Sequence, residues 1–217
     1  KDKSTSNSTD QKLGKMFSLL NKVNDVLAPA SDDVNPNEQY HEKVNQLRTP
    51  PPFHPEGFPD ARVEALKLTL PKAPEPAGSY ASLVVVGDLC YVSGQVPLKD
   101  DGTPITGKVT SAVGTSSMVD EAGGVEAAKA AGLTILAQLK EHLGCLNVIT
   151  RVVKVSGYVN CTPEFTNQVK VMEGLTTTMQ EVFGEAGKGA LTAVGITSLP
   201  QNATVQVDAV FQLSCLS

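Results

Sequence analysis

The chain has 217 residues, of which 41% are hydrophobic and 19% are charged, and its formal net charge is −5 at pH 7. This composition is typical of a globular protein, and the acidic balance lacks the positive charge that binding to nucleic acid requires. No apolar run approaches the ~20 residues of a membrane-spanning helix. We therefore expect neither a nucleic-acid partner nor a membrane span.

The first 62 residues are predicted to form an extension that precedes the folded domain. Residues 1–12 are polar and predicted to be disordered. Residues 13–27 predict an amphipathic helix, because six large apolar residues recur at spacings of three or four. We expect this stripe to dock on a protein partner in a larger assembly. The stripe consists of Leu13, Met16, Phe17, Leu20, Val23 and Leu27. A weaker helix is predicted over residues 37–47, and an extended, proline-rich arm over residues 49–60.

Residues 63–217 are predicted to form one domain. After a helical turn over residues 61–67, the β-rich runs Leu83–Val86 and 89–92 flank Gly87 and Asp88. Two such runs around a two-residue turn are typical of a β-hairpin.

The second half of this domain alternates between helices and strands. A loop over residues 110–118 precedes a helix over 119–143, and the next helix opens at Thr162-Pro163 and extends to Phe183. Strands are predicted over residues 149–158, 190–197 and 204–213. This order predicts an α+β fold, with a mostly antiparallel sheet and two helices on one face. The other face of such a sheet requires burial by a second subunit.

Two segments carry a resemblance to a known family. The first, SYASLVVVGDLCYVSGQVP, places an aromatic residue before the hairpin and ends the second strand in SGQ-P; the second is the closing LPQNATVQVDAVFQL. Together they resemble the YjgF family, also called reactive-intermediate (Rid) deaminases or endoribonuclease L-PSP. The resemblance covers roughly residues 68–215. It implies a chorismate-mutase-like fold and a homotrimer with three clefts between subunits.

The resemblance also implies where the family's chemistry would lie. In active members an arginine grips the carboxylate of an imine or enamine acid, and a glutamate positions the hydrolytic water. Alignment on the Leu199-Pro200 turn puts Leu191 at the arginine position and Gln206 at the glutamate position. Both replacements remove charge, so ordinary deaminase activity is not expected. Asp208 keeps strand parity with Gln206 and is a candidate replacement acid.

A pocket for a small carboxylate or carbonyl ligand is nevertheless expected, formed by Tyr80, Ser93, Gly94, Leu191 and Gln206. The competing interpretation is that Tyr80 belongs to the core and that Ser93 only caps a strand end. Backbone groups of residues 193–195 are expected to add donors. The sequence supports no confident catalytic residue and no cofactor.

Metal binding and nucleophilic catalysis find little support in the sequence. Its four cysteines form no CxxC pair and its three histidines show no zinc spacing. Cys161 follows a strand, but the sequence places no histidine or asparagine beside it, so a nucleophilic role is disfavoured. Arg151 opens a strand, where a surface position is expected. Free thiols indicate a reducing compartment, either the cytoplasm or an organellar matrix. Because the chain starts at Lys1, N-terminal processing and a mitochondrial location fit as well.

Three functions remain open from the sequence. The first two are a trimeric ligand-binding protein and a structural subunit recruited through the extension, and these are favoured together. The alternative is a hydrolase or deaminase that acts on imine or enamine metabolites with a non-standard site.

Overall fold

The computed structural model describes residues 57–111 and 118–214. The predicted helices over residues 13–27 and 37–47 lie outside this part of the chain, as do the six docking residues. The described residues contain three α-helices and seven strands. The helices are α1 (Pro59–Ala65), α2 (Glu121–Leu143) and α3 (Gln168–Phe183), and the strands are β1 (Leu83–Val86), β2 (Leu89–Gln95), β3 (Lys108–Val109), β4 (Met118–Val119), β5 (Ile149–Asn160), β6 (Ala190–Ile196) and β7 (Val205–Leu213).

Five strands form the main sheet, in the order β1-β2-β7-β5-β6. Every neighbouring pair is antiparallel except β5 and β6, which are parallel. The short strands β3 and β4 pair separately and in parallel. The predicted α+β class with a mostly antiparallel sheet is therefore confirmed.

The sheet buries one face under α2 and α3. Side chains of β7 alternate strictly between buried and half-buried positions, from Val205 to Leu213. The buried set of β7 joins residues of both helices in one hydrophobic cluster. At Gly157 on β5, an added Cβ would collide with the side chain of Met172 on α3, so the helix packs directly on the strand. We call the helix-covered side the helix face and the opposite side the open face.

The two helices approach each other closely at Gly174. A Cβ at this position would overlap with the backbone carbonyl of Val125 on α2. Only the absence of a side chain permits this approach, because backbone atoms cannot move aside as a flexible side chain does. At Gly132, by contrast, a Cβ would lie 3.4 Å from the nearest atom of Leu175, which is ordinary contact.

The β1-β2 hairpin is confirmed, and its turn depends on Gly87. Gly87 has φ = +61°, a conformation that glycine adopts without steric cost. Strand β2 continues beyond the predicted residues 89–92 to Gln95, with an irregular register against β7 between Val92 and Gln95. This irregularity is a β-bulge-like feature, and Ser93 and Gly94 lie within it.

The start of α3 was predicted wrongly. Pro163 and Glu164 form a turn, and the helix begins only at Gln168. The backbone N–H of Thr162 donates to the carbonyl of Val109, and Phe165 is buried, so this segment is held against β3 before the helix can begin.

Helix α2 starts two residues later than predicted, at Glu121. Asp120 is its N-cap, and its carboxylate accepts a hydrogen bond from the N–H of Gly123 at 2.8 Å. Val119, predicted to be helical, and Met118, predicted to be in a loop, instead pair with β3. Gly144 caps the other end of α2, with φ = +80°.

Helix α1 crosses the predicted boundary between residues 62 and 63 and takes in the last residues of the predicted arm. Asp60 fixes it to the loop that follows α2: its carboxylate accepts from the N–H of Leu146 at 3.0 Å and lies 3.1 Å from the Nζ of Lys140. The N–H of Asp60 donates to the side chain of Asn147 at 3.1 Å. Val63 joins the core cluster, so α1 is part of the folded domain.

Substitution of the two helix glycines should give opposite results. Gly174→Ala should lower the free energy of unfolding by about 1–3 kcal/mol, because the new methyl group forces α2 and α3 apart. Gly132→Ala should leave it unchanged or raise it by up to about 1 kcal/mol, since alanine is the better helix former. Urea denaturation followed by circular dichroism measures both. Equal effects of the two substitutions would contradict the close approach at Gly174.

Candidate functional site

The candidate site lies at one end of the open face, where β2 and β5 finish and β7 begins. The paired strands put Gln206 beside Tyr158, which in turn pairs with Val194. The next row of the sheet contains Asp208 and Ser156. These side chains have the same strand parity, so they project from the same face.

Gly94 and Gln206 are in direct contact. The side-chain amide of Gln206 occupies the space that a Cβ on Gly94 would need. The glycine at position 94 thus allows a neighbouring amide of the same subunit to approach the backbone closely. The contact places the Gln206 amide at the end of β2.

Ser93 ties the preceding segment to the same end of the sheet. Its hydroxyl donates to the carbonyl of Ala81 at 2.7 Å, and its N–H donates to the carbonyl of Ser82 at 2.9 Å. Tyr80 lies next to this anchor and is 54% exposed, which contradicts the interpretation of Tyr80 as a core residue. Its hydroxyl accepts a bond from the N–H of Ala77 at 3.3 Å.

Leu191 lies away from the other predicted ligand-binding residues. It pairs with Val155, whose side chain is buried in the core, so Leu191 projects from the helix face of β6. Gln206 projects from the open face of β7, two strands away. With strands about 4.8 Å apart, the backbones of these two strands are ~10 Å apart. One subunit therefore does not bring Leu191 and Gln206 together.

Tyr158 and Ser156 also belong to the polar group at this end of the sheet, and neither was predicted from the sequence. The negative charge of Asp208 raises the pKa of the Tyr158 hydroxyl, and burial and hydrogen bonding to Asp208 add to this. A hydrogen bond from Ser156 acts in the opposite direction. Ser156 is itself only 9% exposed. The sequence did contain a signal for these two residues. Both lie at alternate positions of the predicted strand over residues 149–158, and Asp208, across from Ser156, was already a candidate acid.

Asn160, which is fully buried, positions the start of β7. Its side-chain N–H₂ donates to the Oδ1 of Asn202 and to the carbonyl of Ala203, both at 3.1 Å. Gln201 and Asn202 have φ of +56° and +55°, so this turn is held in a left-handed conformation that residues with a side chain seldom adopt. The clamp fixes where Gln206 enters the sheet.

The rest of the open face is apolar at its centre. Val84, Tyr91 and Val210 form one row across β1, β2 and β7, and Lys154 continues it on β5. Val84 and Tyr91 are exposed. We call Val84, Tyr91 and Val210 the apolar row, and Gly94, Gln206, Tyr158, Asp208 and Ser156 the polar end. Arg151 pairs with Gln212 at the far end of the face, away from the polar end.

Cys90 and Cys161 are buried and do not lie on the open face. Cys161 is buried on the helix face, with its Sγ 3.8 Å from the side-chain nitrogen of Gln168. Cys90 is buried in the core, and burial raises the pKa of its thiol to about 11, which makes it a poor nucleophile. Within the described ranges, no group of three or more His, Cys, Asp or Glu side chains could hold a metal ion. No helix in this part of the chain is long and apolar enough to cross a membrane.

Comparison with known proteins gives consistent matches. The family model described as "YjgF/chorismate mutase-like, putative endoribonuclease" matches residues 60–212. Protein TCP17 of Trypanosoma cruzi is 40% identical over 155 residues, which cover 71% of this chain and 93% of that protein. A RutC family protein of Pyrococcus abyssi is 30% identical over 140 residues, or 64% of this chain and 90% of the relative. The crystal structure of an Agrobacterium tumefaciens protein of unknown function superposes with a TM-score of 0.62 at 37% identity, over 72% of this chain and 94% of that one.

The contact between Tyr158 and Asp208 can be tested by titration. Asp208→Asn should lower the pKa of Tyr158 towards the ordinary value of about 10, because it removes the negative charge that opposes the phenolate. Ser156→Ala should raise the pKa further, because the hydrogen bond that favours the phenolate is lost. Ultraviolet titration of each variant, minus the same variant carrying Tyr158→Phe, isolates this tyrosine. A Tyr158 pKa that does not respond to Asp208→Asn would contradict the contact.

Proposed function

This chain belongs to the YjgF/chorismate-mutase-like family, and on that premise we propose that it is a homotrimer that binds a small polar ligand and does not act as an imine deaminase. The observation that carries the proposal is the polar end of the open face, where amide, phenol, hydroxyl and carboxylate groups converge beside a glycine. Such a set of convergent hydrogen-bonding groups is typical of a small-molecule site.

Two observations support assembly of the subunits. The family is commonly oligomeric, and the apolar row leaves Val84 51% and Tyr91 45% exposed on the open face. Burial of such side chains stabilises an interface by roughly 25 cal/mol per Å². Leu191 on the β6 edge is also remote from Gly94 and Gln206, so all the residues of the expected pocket could meet only between two copies of the chain.

The absence of deaminase activity is proposed from the chemistry of two side chains. Leu191 offers no positive charge to a substrate carboxylate. Gln206 can hydrogen-bond to a water molecule but cannot remove its proton. Asp208 is the specific observation that favours the alternative, a hydrolase with a non-standard site, because it places a carboxylate one row from Gln206 and beside a phenol.

The extension remains a separate proposal. We propose that the family domain is self-sufficient from Gly57, because α1 and Val63 belong to its core. The extension would then be free to recruit a partner through the stripe of residues 13–27, which makes a structural-subunit role compatible with ligand binding.

The chain should have three times its monomer mass of 22.8 kDa in solution, and a shortened chain that starts at Gly57 should also be a trimer. Light scattering coupled to size exclusion measures both. Tyr91→Glu should dissociate the trimer, because it puts a charge into the apolar row that the proposed interface would bury. Val169→Glu is the matched control: Val169 is 60% exposed on α3, outside the open face, and its replacement should leave the mass unchanged.

A wild-type protein that is monomeric would overturn the trimer. A Tyr91→Glu variant that remains a trimer would instead show that the apolar row does not form the interface.

The protein should not hydrolyse 2-imino acids above background. A coupled assay in which an amino-acid oxidase generates the imine tests this directly. The matched variant carries Leu191→Arg together with Gln206→Glu, which restores the two charges. Turnover in this variant but not in the wild type would attribute the missing activity to these two positions. Robust turnover by the wild type that survives Asp208→Asn would contradict the proposal, and turnover that Asp208→Asn abolishes would establish the hydrolase alternative.

A further inference from the structure

We propose that the polar end selects a ligand that presents an ammonium group to Asp208 and a carbonyl group to the side-chain N–H₂ of Gln206. This inference rests on the proposed ligand-binding function and specifies the chemistry of the ligand. The sequence alone predicts a carboxylate or carbonyl ligand. The ligand proposed here has a carbonyl group at one end and a positive charge at the other.

The negative charge of Asp208 favours a cationic ligand. Asp208 is half-buried on the open face, and none of the ion pairs found in the described part of the chain includes it. The nearest basic side chain by strand register is Lys154, which lies one row away and is exposed. A carboxylate that is partly removed from water and not paired with a cation favours an incoming positive charge and disfavours an incoming carboxylate.

Asp208 also has unused hydrogen-bonding capacity. An ionised carboxylate has about four acceptor sites. Tyr158 has one hydroxyl donor and directs it at Asp208, so Tyr158 occupies one of these sites. The remaining lone pairs are available to an ammonium group, which brings three donors.

The carbonyl end of the proposed ligand contacts Gln206. The Gln206 amide lies against Gly94, where the missing Cβ leaves room for it. The amide carries both donor and acceptor groups, and Gln206 is the cross-strand neighbour of Tyr158. A carbonyl oxygen is an acceptor that the N–H₂ of Gln206 can satisfy, while the same ligand places its ammonium one row further along the sheet. One residue row along a strand pair corresponds to two residues, or ~6.6 Å, which matches the span of a short amino-carbonyl compound with its hydrogen bonds.

Three probes of nearly equal size separate charge from shape. Glycinamide carries an ammonium and a carbonyl, glycolamide replaces the ammonium with a neutral hydroxyl, and oxamate replaces it with a carboxylate. Binding to the full chain at neutral pH is measured by ligand-observed NMR titration. We expect glycinamide to bind at least tenfold more tightly than glycolamide, and oxamate to bind more weakly than either.

Two variants test the role of Asp208 in this ranking. Asp208→Asn should abolish the advantage of glycinamide over glycolamide, because the shape of the site is kept and the charge is removed. Asp100→Asn changes the net charge of the protein by the same amount at an exposed loop position and should leave the ranking intact. Native mass and circular dichroism confirm that both variants are assembled and folded.

The possible results distinguish the two levels of the proposal. If glycolamide or oxamate binds as tightly as glycinamide, or if Asp208→Asn affects all three probes equally, the ammonium inference is overturned while ligand binding stands. If none of the three probes binds to the wild type, both the inference and the ligand-binding function are overturned.

Discussion

The structure depends on a sheet that is covered by helices on one side only. Two helices bury the alternating side chains of β7, and they can do so because Gly174 lets α3 rest against the backbone of α2. A side chain at position 174 would push the two helices apart and weaken their packing on the sheet. Because of this arrangement, the residues on the open face take no part in core packing and can carry polar groups.

The open face divides into parts with different chemistry. The apolar row suits contact between subunits, and the polar end suits a small ligand. The two lie on the same strands, one or two residue rows apart, so any contact between subunits would form a wall beside the polar end. Assembly and ligand binding would then be linked, because a change in how the subunits meet would alter the shape of the site.

The sequence predicted the fold well because its signals are local. The hairpin around Gly87, the strand alternation of β7 and the cap at Gly144 each depend on a few neighbouring residues. The errors arose where tertiary contacts decide. Pro163 is a good helix opener, but the backbone bond from Thr162 to Val109 delays the helix until Gln168. Val119 continues the helical pattern of the sequence. It nevertheless pairs with β3, because the next residue, Asp120, is the N-cap and α2 begins only after it.

The candidate site was harder to predict than the fold, since its residues meet only across strands. Alignment on the Leu199-Pro200 turn identified Gln206, and Gly94 was found from its place at the strand end. Tyr158 and Ser156 required the register of β5 against β7, which no single segment encodes. The pairing of β5 with β6 places Leu191 on the opposite face, a fact that the sequence positions alone do not reveal.

The contact between Gly94 and Gln206 constrains how this protein can evolve. Any side chain at position 94 would displace the flexible amide of Gln206, so a substitution there would reposition this group while sparing the strands. Glutamate, however, has the shape of glutamine and fits the same space. A lineage could thus exchange a neutral group for an acid at position 206 without rebuilding the strands around it, and the chemistry of the site can change faster than its architecture.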